Sequence, residues 1–214
     1  MEVRDELAQE PARKDCFLCR PSANLLGDIG QAGYVVAGLG PLSTGYAVIA
    51  THAHLRGLAE ADAAQRVAYA EYAAGIANEL AAAYDSCFVV EHGNMAVCGI
   101  SEEGRAHCFH PHFLVIPGTA ANVEPFLEYF GTSESFDTLA DAVSYAADLG
   151  QYVLAGQAAG PFHVFFPRGD LPRQFARALV AEQIGVEHLA SWRDVPDLPK
   201  TVANAEALRK ALAR

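Results

Sequence analysis

The chain has 214 residues, of which 51% are hydrophobic and 19% are charged, and its formal net charge at pH 7 is −11. A chain of this length can bury a sizeable core, and it contains no apolar run near the ~18 residues that a membrane-spanning helix needs. The acidic balance disfavours nucleic acid as a partner, because polynucleotides are bound largely through Lys and Arg contacts to phosphate. A small phosphorylated ligand is compatible with it, since local dipoles and a few cations can hold one.

The N-terminus and the cysteine count favour a cytoplasmic protein. The opening stretch MEVRDELAQEPARKDC is charged and lacks the apolar segment of a signal peptide. Five cysteines is an odd number, and a chain this long does not need disulfides for its stability. We therefore expect the cysteines to be reduced or bound to a metal ion.

The strands are predicted from short apolar runs, and the first of them follows a solvated lead-in at 1–15. Runs bounded by glycine, proline or polar residues predict strands at 34–37, 46–50, 87–91, 107–116, 152–156 and 162–167. Pro111 lies inside the fourth run, which indicates an edge strand, a bulge or the start of a strand. The segment 92–105 is rich in glycine and polar residues and is predicted to be a loop.

Stretches rich in alanine and leucine predict the helices. A long helix is expected at about 60–85, and further helices at 135–150, at 171–185 and from near Pro199 towards Arg214. These elements predict an α+β fold class: an antiparallel sheet of about five or more strands, with a long helix and C-terminal helices against one face.

Cys16 and Cys19 form a Cys-x-x-Cys turn within the segment DCFLC. Two thiolates at this spacing can bind one ion, and zinc favours cysteine and histidine together. A redox pair or two unrelated thiols are the alternatives, although a redox motif normally lies between a strand and a helix. The remaining ligands would come from farther along the chain, where the candidates are His52, His54, His92, His107, His110 and His112.

His110 and His112 stand out among these histidines, because a strand places them on one face together with Leu114. Residues two apart in a strand are separated by about 7 Å. That separation is too long for both imidazoles to bind one zinc ion at about 2 Å. One of them can be a metal ligand while the other acts as a nucleophile or a base.

Five segments carry a resemblance to a known family, and in chain order they are DCFLC, GPLSTGYAVIATHAH, VVEHGN, HPHFLVIP and LPRQFARALVAEQIG. Together they resemble the histidine-triad superfamily, whose motif is His-φ-His-φ-His-φ-φ with φ an apolar residue. The superfamily includes nucleotide hydrolases, galactose-1-phosphate uridylyltransferase and dinucleoside-polyphosphate phosphorylases. The His-Pro-His at 110–112 is similar to the uridylyltransferase branch, and DCFLC is similar to the N-terminal Cys-x-x-Cys of zinc-containing members.

The resemblance implies a histidine-triad-like fold with its core at 16–120 and a C-terminal part at 121–214, including a helical extension, packed on the same domain. It implies that a structural zinc ion is held by Cys16, Cys19, His54 and His110. It also implies that His112 is the nucleophile, which carries a nucleotidyl group between a nucleoside 5′-phosphoryl compound and an acceptor. A nucleotide hydrolase or nucleotidyltransferase is therefore expected. Family members with one unit per chain are commonly dimers, so we expect a homodimer.

Binding of the substrate phosphate needs further polar groups. The candidates are Asn94, the backbone around Gly93 and the pair Arg173–Gln174. Loop capping and a solvated helix start explain the same residues equally well.

The third triad position departs from the family pattern. Hydrolases of the superfamily carry histidine there, and transferases and phosphorylases carry glutamine, whereas this chain has Leu114, which cannot form a hydrogen bond. His107 can supply a polar group from the preceding turn. Besides the enzyme, the sequence therefore leaves open a non-catalytic nucleotide-binding protein of the same fold, or an enzyme of that fold with different chemistry.

Overall fold

The computed structural model describes residues 16–93, 110–172 and 174–213. In these ranges the chain forms one eight-stranded sheet in the order β1-β2-β3-β5-β4-β7-β8-β6, and every neighbouring pair is antiparallel. The strands are β1 Leu26–Ile29, β2 Tyr34–Ala37, β3 Ala47–Ala50, β4 Cys87–Gly93, β5 His112–Pro117, β6 Glu134–Phe136, β7 Tyr152–Gln157 and β8 Phe162–Phe165. The predicted antiparallel sheet is confirmed, and all six predicted strands are found in it: β2 has the predicted bounds, and the other five have shifted ends.

The five α-helices of the described ranges are α1 Ala63–Tyr84, α2 Glu124–Phe130, α3 Leu139–Ala147, α4 Phe175–Gln183 and α5 Leu198–Ala211. The predicted long helix corresponds to α1. It begins where the Asp62 side chain accepts a hydrogen bond from the Gln65 backbone and the Gln65 side chain accepts one from the Asp62 backbone. This reciprocal capping box satisfies two backbone donors that the first turn leaves unpaired. No helix in the described ranges has both the length and the apolar character needed to cross a membrane.

Helices cover both faces of the sheet, and the prediction that they pack against one face is wrong. The helices α1, α3 and α5 contribute to one hydrophobic cluster, and α2 and α4 contribute to the other. Val35 and Val36 are adjacent in β2, and both are fully buried, one in each cluster. Runs such as YVVA and AVIA are apolar at every position, which is the pattern of strands that are buried on both sides.

Two further predicted boundaries need correction. The residues Glu134–Phe136 form the edge strand β6 rather than the start of a helix, because they pair with β8. The helix α3 begins only after Thr138, whose hydroxyl accepts a hydrogen bond from the Asp141 backbone at 3.1 Å. The second correction concerns the start of the predicted loop 92–105, because β4 continues through Gly93. Residues 94–109 lie outside the described ranges.

The start of β5 lies beside the end of β3 and the end of β4. Pro111 has no backbone N–H to donate to a strand partner, and β5 begins at the residue after it. His112 pairs with Ala50 of β3, and Leu114 pairs with Val90 of β4. This end of the sheet therefore places the first residue of β5 next to the last residues of β3 and β4.

Candidate metal centre and histidine site

Four side chains converge near this end of the central strands: Cys16, Cys19, His54 and His110. One ligand atom from each lies within 4.8 Å of every other, although the residues are up to 94 positions apart in the chain. Cys16 precedes and Cys19 ends a short 3₁₀ turn, Phe17–Cys19, and the Cys19 backbone N–H donates to the Cys16 carbonyl at 3.2 Å. The turn brings both sulfur atoms to one side, and the cluster can hold a metal ion.

The ring of His110 is oriented as a metal ligand requires. The Nε2–H of His110 donates to the backbone carbonyl of Thr51 at 2.7 Å, so its Nδ1 carries the free electron pair. That Nδ1 lies 3.6 Å from the Cys16 sulfur and 3.7 Å from the Cys19 sulfur. Ligand bonds of about 2.3 Å to sulfur and 2.0–2.1 Å to nitrogen, at a tetrahedral angle, separate the two atoms by about 3.6 Å. The Nδ1 of His54 is closer to the Cys19 sulfur, at 3.0 Å.

His112 is the first residue of β5, and its ring is held in one tautomer. Its Nδ1–H donates to the backbone carbonyl of His110 at 2.7 Å, which leaves Nε2 without a proton. The intervening Pro111 is held as well, because its carbonyl accepts a hydrogen bond from the Thr51 backbone at 3.3 Å. Burial lowers the pKa of His112, opposed by the bond to His110, and favours a neutral ring.

A second histidine, His92, lies directly beside His112. Because Val90 is paired with Leu114, the next residues on the same face of the two strands are His92 and His112. Their ring centroids are 5.5 Å apart, and the planes meet edge to face at 88°. Burial, followed by the charge of His112, lowers the pKa of His92 to about 3, so the ring is neutral at pH 7. Sequence reasoning listed His92 only among the possible metal ligands and within the segment VVEHGN, and did not place it beside His112; its position two residues after Val90 in the apolar strand was the available signal.

Of the predicted substrate contacts, the structure describes Gly93 and Gln174. A side chain at Gly93 would meet the Tyr152 ring, on the opposite face from His112. Gln174 precedes α4, and its side-chain oxygen accepts a hydrogen bond from the Trp192 backbone at 3.2 Å. Asn94, His107 and Arg173 lie outside the described residues.

Leu114 is buried among apolar side chains on the α2 and α4 side of the sheet, at 7% exposure. It shares this face with His112 and His92, because alternate residues of a strand point the same way. The third triad position therefore supplies packing next to the two histidines and no hydrogen-bonding group.

A buried carboxyl group lies on the opposite face of β4. Glu91 is 2% exposed, and one of its oxygens accepts a hydrogen bond from the Tyr152 hydroxyl at 2.8 Å. Burial raises the pKa of Glu91 to about 8, although the Tyr152 hydrogen bond opposes the shift. This carboxyl group is separated from the histidine pair by the sheet itself.

Comparison with models of protein families gives no match, and a search of curated proteins gives no significant one.

Proposed function

We propose that this protein is a nucleotidyl hydrolase or transferase in which His112 is the nucleophile. The observation that carries the proposal is the 2.7 Å hydrogen bond from His112 Nδ1–H to the His110 carbonyl. It leaves the Nε2 electron pair of a neutral ring available, which is the form of imidazole that attacks phosphorus. The resemblance of HPHFLVIP to the histidine-triad motif supports the same assignment.

The reaction has two displacements. In the first, His112 Nε2 forms a bond to the α-phosphorus of a nucleoside 5′-phosphoryl compound, and the leaving oxygen departs with the electron pair of its P–O bond. In the second, water, phosphate or a sugar phosphate attacks the phosphorus and gives up a proton, and the P–N bond breaks back to neutral His112. Covalent catalysis divides one difficult displacement into two easier ones.

Zinc is the ion that we assign to the four-residue cluster, because two cysteines and two histidines match its preferred ligands. Cys16, Cys19, His54 and His110 would fill all four coordination positions, which is typical of a structural site. The ion would fix the position of His110, whose carbonyl orients the ring of His112. Its part would be structural, and both displacements would be carried out at His112.

Leu114 favours a second candidate function. A buried leucine beside the two histidines suits a pocket for a less polar group, in a non-catalytic nucleotide-binding protein or in an enzyme with changed chemistry. In both cases we expect a nucleotide-like small molecule as the ligand. The expectation of a cytoplasmic homodimer belongs to the same proposal.

The test is to trap the covalent intermediate. Wild-type protein is mixed with a panel of α-³²P-labelled nucleoside di- and triphosphates and dinucleoside polyphosphates, quenched in alkali, and mapped by mass spectrometry. We expect an acid-labile nucleotidyl group on His112, and none in His112→Ala, which should keep its fold and metal because the His112 ring is not a predicted ligand.

His163→Ala is the matched control, because His163 lies in the strand β8 near the sheet edge and forms a hydrogen bond with Ser133. It should label as the wild type does. His112→Gly is expected to regain turnover when free imidazole is added. Turnover that survives in His112→Ala would refute the proposed mechanism, and binding of nucleotide without any adduct would favour the non-catalytic candidate.

A further inference from the structure

We propose that His92 is a second catalytic residue of this site, which donates a hydrogen bond to a non-bridging oxygen of the phosphoryl group that His112 attacks. This inference rests on the proposed function and adds a residue to it. His92 would provide the contact that Leu114 cannot make from the third triad position.

The pairing of β4 with β5 brings His92 close to His112. The register of β4 against β5 puts His92 and His112 side by side on one face, with ring centroids 5.5 Å apart. A phosphoryl group bonded to His112 Nε2 has its oxygens within a few ångströms of that nitrogen, so a neighbouring ring at this distance can reach one of them. Leu114 lies on the same face, two residues after His112 in β5.

The hydrogen bonding of His92 supports a ligand as its partner. Its Nδ1 atom is buried and has no hydrogen-bond partner among the described residues. Buried polar atoms are nearly always paired, so an unpaired ring nitrogen next to a nucleophile needs an explanation. An edge-to-face contact alone needs no nitrogen, because phenylalanine or tyrosine would pack in the same way.

The chemistry requires no proton transfer from His92. A neutral imidazole carries one N–H, which is a hydrogen-bond donor. As His112 Nε2 bonds to phosphorus, negative charge collects on the non-bridging oxygens, and a donor held at that position stabilises the transition state more than the ground state. All bonds that form and break are those of the two displacements already described.

The experiment compares His92→Phe, which keeps an aromatic ring and loses the N–H, with His92→Gln, which keeps a donor. The rate of adduct formation on His112 is measured in single-turnover mode with the labelled nucleotide that marks the wild type fastest. Loss of one transition-state donor costs ~100-fold in rate, so we expect about this loss in His92→Phe and recovery of most of it in His92→Gln. His163→Phe is the matched control and should react at the wild-type rate.

Two additional readouts separate a contact to phosphate from a packing role. The Rp and Sp α-phosphorothioate forms of the same nucleotide should react at different rates in the wild type, and His92→Phe should lose most of this preference. Leu114→Gln places a donor at the third triad position, so it should raise the rate of His92→Phe more than that of the wild type.

If His92→Phe does not fold, ¹⁵N-histidine spectra of the wild type decide instead. The His92 ring nitrogens should shift when adenosine 5′-(α,β-methylene)diphosphate is added. An unchanged His92 signal while His112 shifts overturns the inference, and so does a folded His92→Phe that labels at the wild-type rate. Both results leave the proposed function standing, whereas failure of the wild type to label at His112 defeats the proposed function itself.

Discussion

The buried carboxyl group of Glu91 should make the stability of this protein fall as the pH rises through neutrality. Its pKa is raised from the ordinary 4.5 to about 8 by burial. Below pH 4.5 the carboxyl group is protonated in both the folded and the unfolded chain, so it imposes no penalty. Between the two values the unfolded chain loses the proton while the folded chain keeps it, and the free energy of unfolding decreases by about 1.4 kcal/mol for each pH unit. Above about pH 8 the full penalty is present.

Glu91→Gln removes this dependence and preserves the shape of the side chain. The amide oxygen of glutamine can still accept the hydrogen bond that the Tyr152 hydroxyl donates to Glu91. Relative to the wild type, the variant should therefore gain stability on going from pH 6 to pH 8, by about 2.7 kcal/mol at most over those two pH units. The gain is an upper value, because a buried carboxylate can draw in water and its surroundings can relax.

Urea unfolding of both proteins at pH 6, 7 and 8, in buffers with the same zinc concentration, measures this difference. Comparing variants at each pH cancels the titration of the histidines, which both proteins share. Glu128→Gln, on the exposed surface of α2, controls for the loss of one negative charge from an acidic chain. A stability difference between Glu91→Gln and the wild type that stays constant from pH 6 to pH 8, or that shrinks, would refute the reasoning.

The remaining predictions concern the metal and the charge. Protein purified without chelator should contain about one zinc ion per chain, and zinc at 100 times its dissociation constant should stabilise the fold by ~2.7 kcal/mol, or roughly 5–10 °C in Tm. Cys16→Ser should lose the metal and the stability that zinc adds. Cys87→Ser, in the hydrophobic core, should be destabilised but keep the metal. Metal analysis that shows no zinc in folded wild-type protein would contradict the assignment. The net charge of −11 predicts that duplex DNA binds far more weakly than mononucleotides at physiological salt, and sub-micromolar binding of DNA in a gel-shift assay would argue against a small-molecule substrate.

Local features of this protein could be predicted from the sequence, because the forces behind them act over a few residues. The helix α1 follows from its alanine-rich composition and the Asp62–Gln65 capping box. The apolar runs of β2 and β3 predict strands, and the Cys-x-x-Cys spacing indicates that Cys16 and Cys19 can form a ligand pair. Pro111 indicates an edge strand, a bulge or a strand start, and the structure selects among these, because β5 begins directly after it.

Only the tertiary structure decided which distant segments meet. His92 and His112 are neighbours because β4 and β5 pair in one register, and a shift by a single residue would turn His92 to the other face of the sheet. Glu134–Phe136 is a strand because β8 offers it a pairing edge, and its own sequence favours no such choice. The two helical layers likewise depend on how α2 and α4 return across the sheet, on the face opposite α1. Register and layer packing are set by burial of apolar surface across the whole chain, which no local pattern contains.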